Sequence, residues 1–226
     1  GDRPFFLYLP FNAPHGASSL EEGVRGAAQA PEEFKRLYTH LEDTLVESPR
    51  SNRPVRPVRS PSASKRRLEY LASISAMDAA IGKVLAALDA TGRAARPRVI
   101  FFPDNGGSGG PDNTPLRGRK GQMYEGGIRV CCLMRYPGRI PAGSVCDAFL
   151  TTLEIFPTVL SAAAVAAPAS LQLDGYDLLP TVAGQASSPR TEMYWQRRDH
   201  AAARVGAWKW IQLGTEESLF NLETNP

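Results

Sequence analysis

An α/β fold, a mostly parallel sheet flanked by helices with a small antiparallel sheet at the C-terminal end, is the prediction, and three observations make it. A long apolar stripe at helical spacing is followed directly by the β-rich run Val99-Ile100-Phe101-Phe102, which is half of a βαβ unit. A short apolar run between Pro4 and Pro10 suits a strand buried on both faces of a parallel sheet. From Arg190 onward the pattern changes to short alternating pieces, the signature of an antiparallel meander. The expected division is residues 1–189 for the α/β part and 190–226 for the small sheet subdomain.

Taken in order, Phe5-Phe6-Leu7-Tyr8-Leu9 begins without a lead-in, so the chain reads as the later portion of a longer protein. Residues 48–67 then hold Arg50, Arg53, Arg56, Arg59, Lys65, Arg66 and Arg67 with no acid, and Pro49, Pro54, Pro57 and Pro61 among serines. Such a composition buries too little apolar area to offset chain entropy, and a solvated, mobile insertion is expected. Leu68, Leu71, Ile74, Met77, Ile81, Val84, Leu85 and Leu88 recur at spacings of three and four, placing one apolar face along a long helix. Gly92 is its expected C-cap, and Pro97 prevents continuation.

Asp104 and Asn105 fall at the carboxyl end of the 99–102 strand, where α/β sheets place their ligands. A glycine-rich loop leads from Gly106 to Gly121 and into Ile128-Arg129-Val130-Cys131-Cys132-Leu133-Met134, read as a further strand closed by the Pro137-Gly138 turn. Thr151-Thr152-Leu153-Glu154 has capping-box spacing, in which hydroxyl and carboxylate satisfy free amides at a helix start. That helix is expected to run to Ala164 and to bend at Pro157. Four strands are expected around Glu192-Trp195, Ala203-Gly206, Trp208-Leu213 and Ser218-Leu222.

Composition narrows the function classes. A hydrophobic share of 42% and a charged share of 22% belong to a folding globular chain. No uninterrupted apolar run approaches the roughly 18 residues of a bilayer span, so no membrane span is expected. Gly1-Asp2-Arg3-Pro4 lacks signal-peptide character. Three cysteines without C-x-x-C spacing make neither a disulfide framework nor a thiolate metal site, and His15, His40 and His200 form no H-x-x-x-H pair. Any metal is therefore expected to be oxygen-bound. The basic stretch has no interleaved aromatic residue for base stacking, so a nucleic-acid partner is not expected.

Three features could carry chemistry. Asp104-Asn105-Gly106-Gly107 sets a carboxylate beside an amide oxygen, both hard donors suited to Ca²⁺ or Mg²⁺; an Asx turn is the alternative. Lys120, within Arg117-Gly118-Arg119-Lys120-Gly121, can approach a tetrahedral anion and neutralise developing charge, or be a solvated basic loop residue. His15, beyond the first run, can donate a proton to a leaving oxygen or hydrogen-bond an anion, or be structural.

These residues, with the order in which they occur, resemble the later portion of a type I sulfatase of the alkaline phosphatase superfamily. The resemblance lies in the first run ending Ala13-Pro14-His15, the 70–88 helix with Ser75-Ala76-Met77-Asp78, Val99 to Phe102 with Asp104-Asn105-Gly106, and Leu116-Arg117-Gly118-Arg119-Lys120-Gly121 with Tyr124-Glu125-Gly126-Gly127-Ile128-Arg129. Pro137-Gly138, Thr151-Thr152-Leu153, Pro157-Thr158 and Trp208-Lys209 near Leu219-Phe220-Asn221-Leu222 continue it. The resemblance implies an alkaline phosphatase-like fold, Asp104 and Asn105 as calcium ligands, Lys120 on the sulfate, and His15 binding the sulfate or assisting leaving-group departure. Glu125 and Arg129 are expected to hold the loop.

Such a resemblance also implies a formylglycine nucleophile made from a C/S-x-P-x-R motif. Neither Cys131, Cys132 nor Cys146 is followed by that pattern, so the nucleophile and the remaining calcium ligands are expected in an N-terminal part not in this sequence, and this chain alone is expected to be inactive. Sulfate-monoester hydrolysis of a small molecule or glycan, outside the cytosol, is the implied function. A phosphodiesterase or phosphonate hydrolase of the same superfamily, or a non-catalytic relative that binds sulfated glycans, are the alternatives.

Overall fold

The computed structural model describes residues 5–16, 28–41, 61–91 and 98–225. The chain resolves into two compact units, Gly1–Gly92 with Gly107–Asp112, and Arg93–Gly106 with Asn113–Pro226.

In the first unit, α1 (Glu32–Lys35) runs into a 3₁₀ turn (Arg36–Leu41), and both lie on the long helix α2 (Pro61–Ala90). Glu32 and Glu33 sit in the first turn of α1 and Lys35 in its last, the signs that a helix dipole favours. Lys35 reaches Glu32 at 2.7 Å and Glu69 of α2 at 3.4 Å, while the Tyr38 and Ser75 hydroxyls meet at 2.8 Å. Leu68, Ala72 and Ser73 are the buried positions of α2 among the described residues.

Two expectations are corrected here. α2 begins at Pro61, so residues 61–67 are helix rather than the end of a mobile insertion. Proline is pre-organised for the first helical position, and the alanine, lysine and arginines that follow are good helix formers. The rest of the basic stretch, 48–60, lies outside the described residues, as do Gly92 and Pro97. The first apolar run is not a buried strand either. Residues 5–12 adopt no regular structure, and Phe6 and Tyr8 are 73% and 74% exposed. A strand buried on both faces needs hydrogen-bonded neighbours on its edges and layers above and below, and among the described residues none pairs with it.

Over Lys65–Ala90, α2 is also long and apolar enough to cross a membrane by length and composition. The apolar run there is not contiguous: the charged Asp78 and Lys83, with Ser73, Ser75 and Gly82, interrupt residues 70–87, and alanines fill the gaps between the larger apolar side chains. A helix packed in a protein core meets the same criterion, but such a helix is mostly buried, whereas 11% of this window is.

In the second unit, β1 (Val99–Phe101) pairs antiparallel with β2 (Leu133–Arg135), Ile100 opposite Met134. Between them lies one short turn of helix, α3 (Glu125–Ile128). The expected 128–134 strand is therefore correct only at its end, because Ile128 still belongs to α3. Thr151 caps the next helical stretch as expected: its hydroxyl accepts from the Leu153 amide and Glu154 accepts from the Thr151 amide. A 3₁₀ turn (Thr152–Glu154) leads into α4 (Ile155–Ala162). Pro157 falls in the first turn of α4, where helices tolerate proline. The helix also ends at Ala162, ahead of Ala164, which takes a positive φ of 55°. A short α5 (Leu179–Val182) follows.

The C-terminal meander is β3 (Glu192–Arg197), β4 (His200–Val205), β5 (Trp208–Leu213) and β6 (Glu216–Asn221), each paired antiparallel with the next. Two-residue connections join them, and Gly206 and Gly214 supply the positive φ that tight hairpins need. Met123, Ala202 and Ile211 form the buried centre, with Tyr124, Trp195, Leu213 and Phe220 packed around them. One face of the meander thus receives the loop that carries Lys120.

Candidate active site

Asp104 and Asn105 follow β1 after Phe102 and Pro103. The Asp104 side chain is exposed, and half-buried Asn105 donates from its amide nitrogen to the Gly106 carbonyl at 3.1 Å. That leaves the Asn105 oxygen as the acceptor end of its amide, so the pair presents two hard oxygens at a strand end. Backbone packing holds them there. The Gly106 amide donates to the Gly127 carbonyl at 3.0 Å. A Cβ on Gly106 would stand 1.9 Å from the Gly126 carbonyl oxygen, a distance no side chain tolerates.

The Lys120 loop rests on the same glycines from another side. Gly126 donates to the Arg117 carbonyl at 2.7 Å, and a Cβ on it would lie 2.6 Å from the Gly118 oxygen. A Cβ on Gly127 would lie 2.2 Å from the Gln122 oxygen and 2.6 Å from that of Arg119. Glycine is required at both positions because backbone, not a flexible side chain, occupies the space. Gly126 and Gly127 are therefore the seat shared by the Asp104-Asn105 turn and the Lys120 loop. Lys120 itself is exposed.

Aromatic packing ties this loop to the sheet. The Arg117 guanidinium lies 4.3 Å from the Tyr124 ring centre, and Tyr124 meets Phe220 of β6 edge-on at 5.9 Å. Beneath them Glu125 is buried and accepts from the Lys209 ammonium at 2.6 Å. Lys209 of β5 is 1% exposed, with its nitrogen 5.4 Å from the Trp195 ring centre. Burial depresses the Lys209 pKa below that of an ordinary lysine, against the pull of Glu125. Burial likewise lowers that of Arg204, with the Glu125 carboxylate again opposing the shift. Arg129 is exposed, and its amide closes α3 on the Glu125 carbonyl at 2.7 Å.

The sequence predicts that Glu125 holds the loop but does not reveal its partner, Lys209. The signal was weak. Alternation along Trp208-Lys209-Trp210-Ile211 leaves both faces open, and two tryptophans draw attention to the face that in the structure is less buried.

His15 belongs to the first unit. It is exposed in a turn, with its amide donating to the Asn12 carbonyl at 2.8 Å and Nδ1 at 2.8 Å from the Gly16 carbonyl oxygen. The second unit brings Asp104, Asn105 and Lys120 onto one seat; His15 is held by its own turn. Among the described residues no three His, Cys, Asp or Glu side chains group to hold a metal ion. Asp104 and Asn105 fit a hard cation by donor chemistry but supply two of the six to eight oxygens that calcium takes. Cys131, Cys132 and Cys146 are all exposed free thiols.

Comparison with known proteins places most of the chain within one family. The sulfatase family model matches residues 1–165, and a model described as N-sulphoglucosamine sulphohydrolase, C-terminal, matches residues 119–213. A protein named Sulfatase from Formosa agariphila is 29% identical over 208 residues, covering 86% of this chain and 33% of its own. Arylsulfatase J from Mus musculus is 30% identical over 209 residues, covering 91% of this chain and 30% of its own. Among solved structures, Ps i-CgsB in complex with k-i-k-neocarrahexaose superposes with a TM-score of 0.77 at 27% identity, over 99% of this chain and 45% of that one. The fold is accordingly the alkaline phosphatase-like fold of those structures. The chain spans about a third of the length of the curated relatives it matches. With the Asp104-Asn105 turn and the Lys120 loop seated on Gly126-Gly127 inside the matched region, this chain belongs to the sulfatase family.

Proposed function

We infer that the intact protein containing this chain hydrolyses a sulfate monoester of a small molecule or glycan, and that this chain supplies one part of its active site. The observation that carries the reading is the common seat: hard oxygen donors and an exposed ammonium are held to one pair of glycines by backbone contacts that admit no larger residue.

A sulfate monoester presents anionic oxygens around sulfur and an oxygen that must leave as an alcohol or phenol. Lys120 offsets the charge on the sulfate oxygens as the S–O bond breaks, a stabilisation worth most where it is pre-positioned. His15 holds a sulfate oxygen or gives its proton to the departing oxygen, which otherwise leaves as an unstabilised anion. Asp104 and Asn105 hold calcium together with ligands from outside this chain; bound calcium would add divalent positive charge against the sulfate oxygens. A formylglycine, also outside this chain, would supply the oxygen nucleophile. On this reading the chain by itself does not turn over. An extracytoplasmic location belongs to the same reading.

The test is made in the intact protein with an aryl sulfate. Lys120→Ala and Asp104→Ala are each expected to lower turnover by about 10²–10³-fold. Both side chains are exposed, so urea unfolding should match the parent. Undiminished turnover in either variant contradicts the assignment, and faster parent turnover of a phosphonate monoester than of any sulfate contradicts the substrate class.

A further inference from the structure

Lys209 lies far along the chain from every residue given a chemical role above, yet it is the most completely buried cation in the described structure. Its strand presents Lys209 and Ile211 to the buried face and leaves Trp208 exposed. An apolar residue would fill that position at lower cost, because a buried ammonium loses hydration that one carboxylate only partly replaces. The direction of its pKa agrees: burial outweighs pairing. Stability alone therefore does not account for a lysine at this place.

Geometry suggests what does. Lys209 bonds Glu125, the first residue of α3, and the next two residues are the glycines that seat both functional segments. Gly126 carries the Arg117 carbonyl and so the start of the Lys120 loop; Gly127 carries the Gly106 amide and so the Asp104-Asn105 turn. α3 is a single turn of helix, too short to hold its own orientation. Apolar contact is non-directional and would let that turn rotate or slide, whereas one charge-assisted hydrogen bond to a fixed strand sets direction as well as distance. A second contact from the sheet, Arg197 Nη1 to the Gly121 carbonyl at 3.4 Å, steadies the far side of the same loop.

We propose that Lys209 is a positioning residue of the sulfatase site. Through Glu125 it sets the orientation of Gly126 and Gly127 on the C-terminal sheet, and so the placement of Lys120 relative to the Asp104-Asn105 turn. The positioning claim stands on the geometry of this chain, and its catalytic consequence rests on the hydrolase reading given above.

The experiment compares the intact parent with Lys209→Met and with the double variant Glu125→Leu/Lys209→Met, in which no charge is left buried without a partner. Amide hydrogen exchange is followed at Gly106, Gly126 and Gly127, with Ala202 and Ile211 of the sheet as internal controls. Exchange at the three glycines is expected to rise about tenfold or more in the double variant while the sheet amides stay within about twofold, and kcat on an aryl sulfate is expected to fall at least tenfold with KM changed far less. Because the sheet amides report folding, a variant that merely unfolds moves all five positions together, and that result overturns the proposal. Unchanged exchange at Gly106, Gly126 and Gly127 in a folded double variant also overturns it. A parent that turns over no sulfate ester overturns the hydrolase reading instead, and the exchange comparison still decides the role of Lys209.

Discussion

Glu125 and Glu154 are both carboxylates withdrawn from water in the second unit, and they are held in different ways. Glu154 is wholly buried and collects donors from two directions: the Thr151 amide at 2.5 Å and hydroxyl at 2.8 Å within its own capping box, and Nε of Arg190 at 2.8 Å, with Nη2 of Arg190 bonded to it as well. Glu125 has one hydrogen-bond donor among the described residues, the Lys209 ammonium. The first arrangement is redundant. It joins the start of α4 to the segment before β3, and Arg190 also donates to the Asp174 carbonyl at 2.9 Å, so losing one bond leaves the carboxylate served. The second depends on a single contact across 84 positions of sequence. Redundancy suits a joint that has only to stay closed, and a single directional bond suits one that has to aim.

Breaking each pair in turn tests that difference. Lys209→Met is expected to cost about 3–5 kcal/mol, because it strands a buried carboxylate. Arg190→Met should cost less, about 1.5–3 kcal/mol, because the Thr151 donors remain. The double variants separate the two regions further. Glu125→Leu/Lys209→Met should return close to the parent, whereas Glu154→Leu/Arg190→Met should not, since it leaves the Thr151 amide without its acceptor. Urea unfolding read by tryptophan fluorescence reports on this unit, because Trp195, Trp208 and Trp210 all lie in its sheet. Equal losses in the two single variants would erase the distinction.

A smaller effect sharpens the Glu154 side. Thr151→Ala removes the hydroxyl that accepts from the Leu153 amide and donates to Glu154, and about 1 kcal/mol is expected by the same measurement. A loss above about 3 kcal/mol would mean that the cap, not Arg190, carries the joint.

The smallest effect is a pH slope. Lys209 has a lowered pKa in the folded state, so between that value and the ordinary 10.5 the unfolded chain binds the proton that the folded chain has released. Stability contributed by this group therefore rises with pH across that window, and below it the full burial cost is present. Unfolding free energies of the parent minus Lys209→Met, taken at steps through the alkaline range, should increase with pH; a flat or falling difference would show that pairing with Glu125 outweighs burial.

Local signals carried much of the architecture. The capping box at Thr151, the stripe of α2, the alternation from Glu192 and the strand before Asp104 each depend on neighbours within a few residues, and each is an element of the structure. The candidate site residues were legible in the same manner, as residue types in order: oxygen donors after a strand, a lysine among glycines, then Glu125-Gly126-Gly127. Elements that depend on partners were read less well. The Phe5 to Leu9 run has the composition of a buried strand, but burial requires neighbours that composition does not supply. Pro61 looked like part of a disordered stretch because proline and arginine are common there, and the same proline begins α2.

By its residues alone the chain determined that it carries the later motifs of a sulfatase and which side chains are candidates for the chemistry, because those motifs are short, contiguous and limited to particular residue types. Only the tertiary structure decided that Gly126 and Gly127 seat two separate segments and that Lys209, a lysine in an alternating strand, turns inward to hold them. Alternation fixes that two faces exist, and packing against the rest of the molecule chooses which of them is dry.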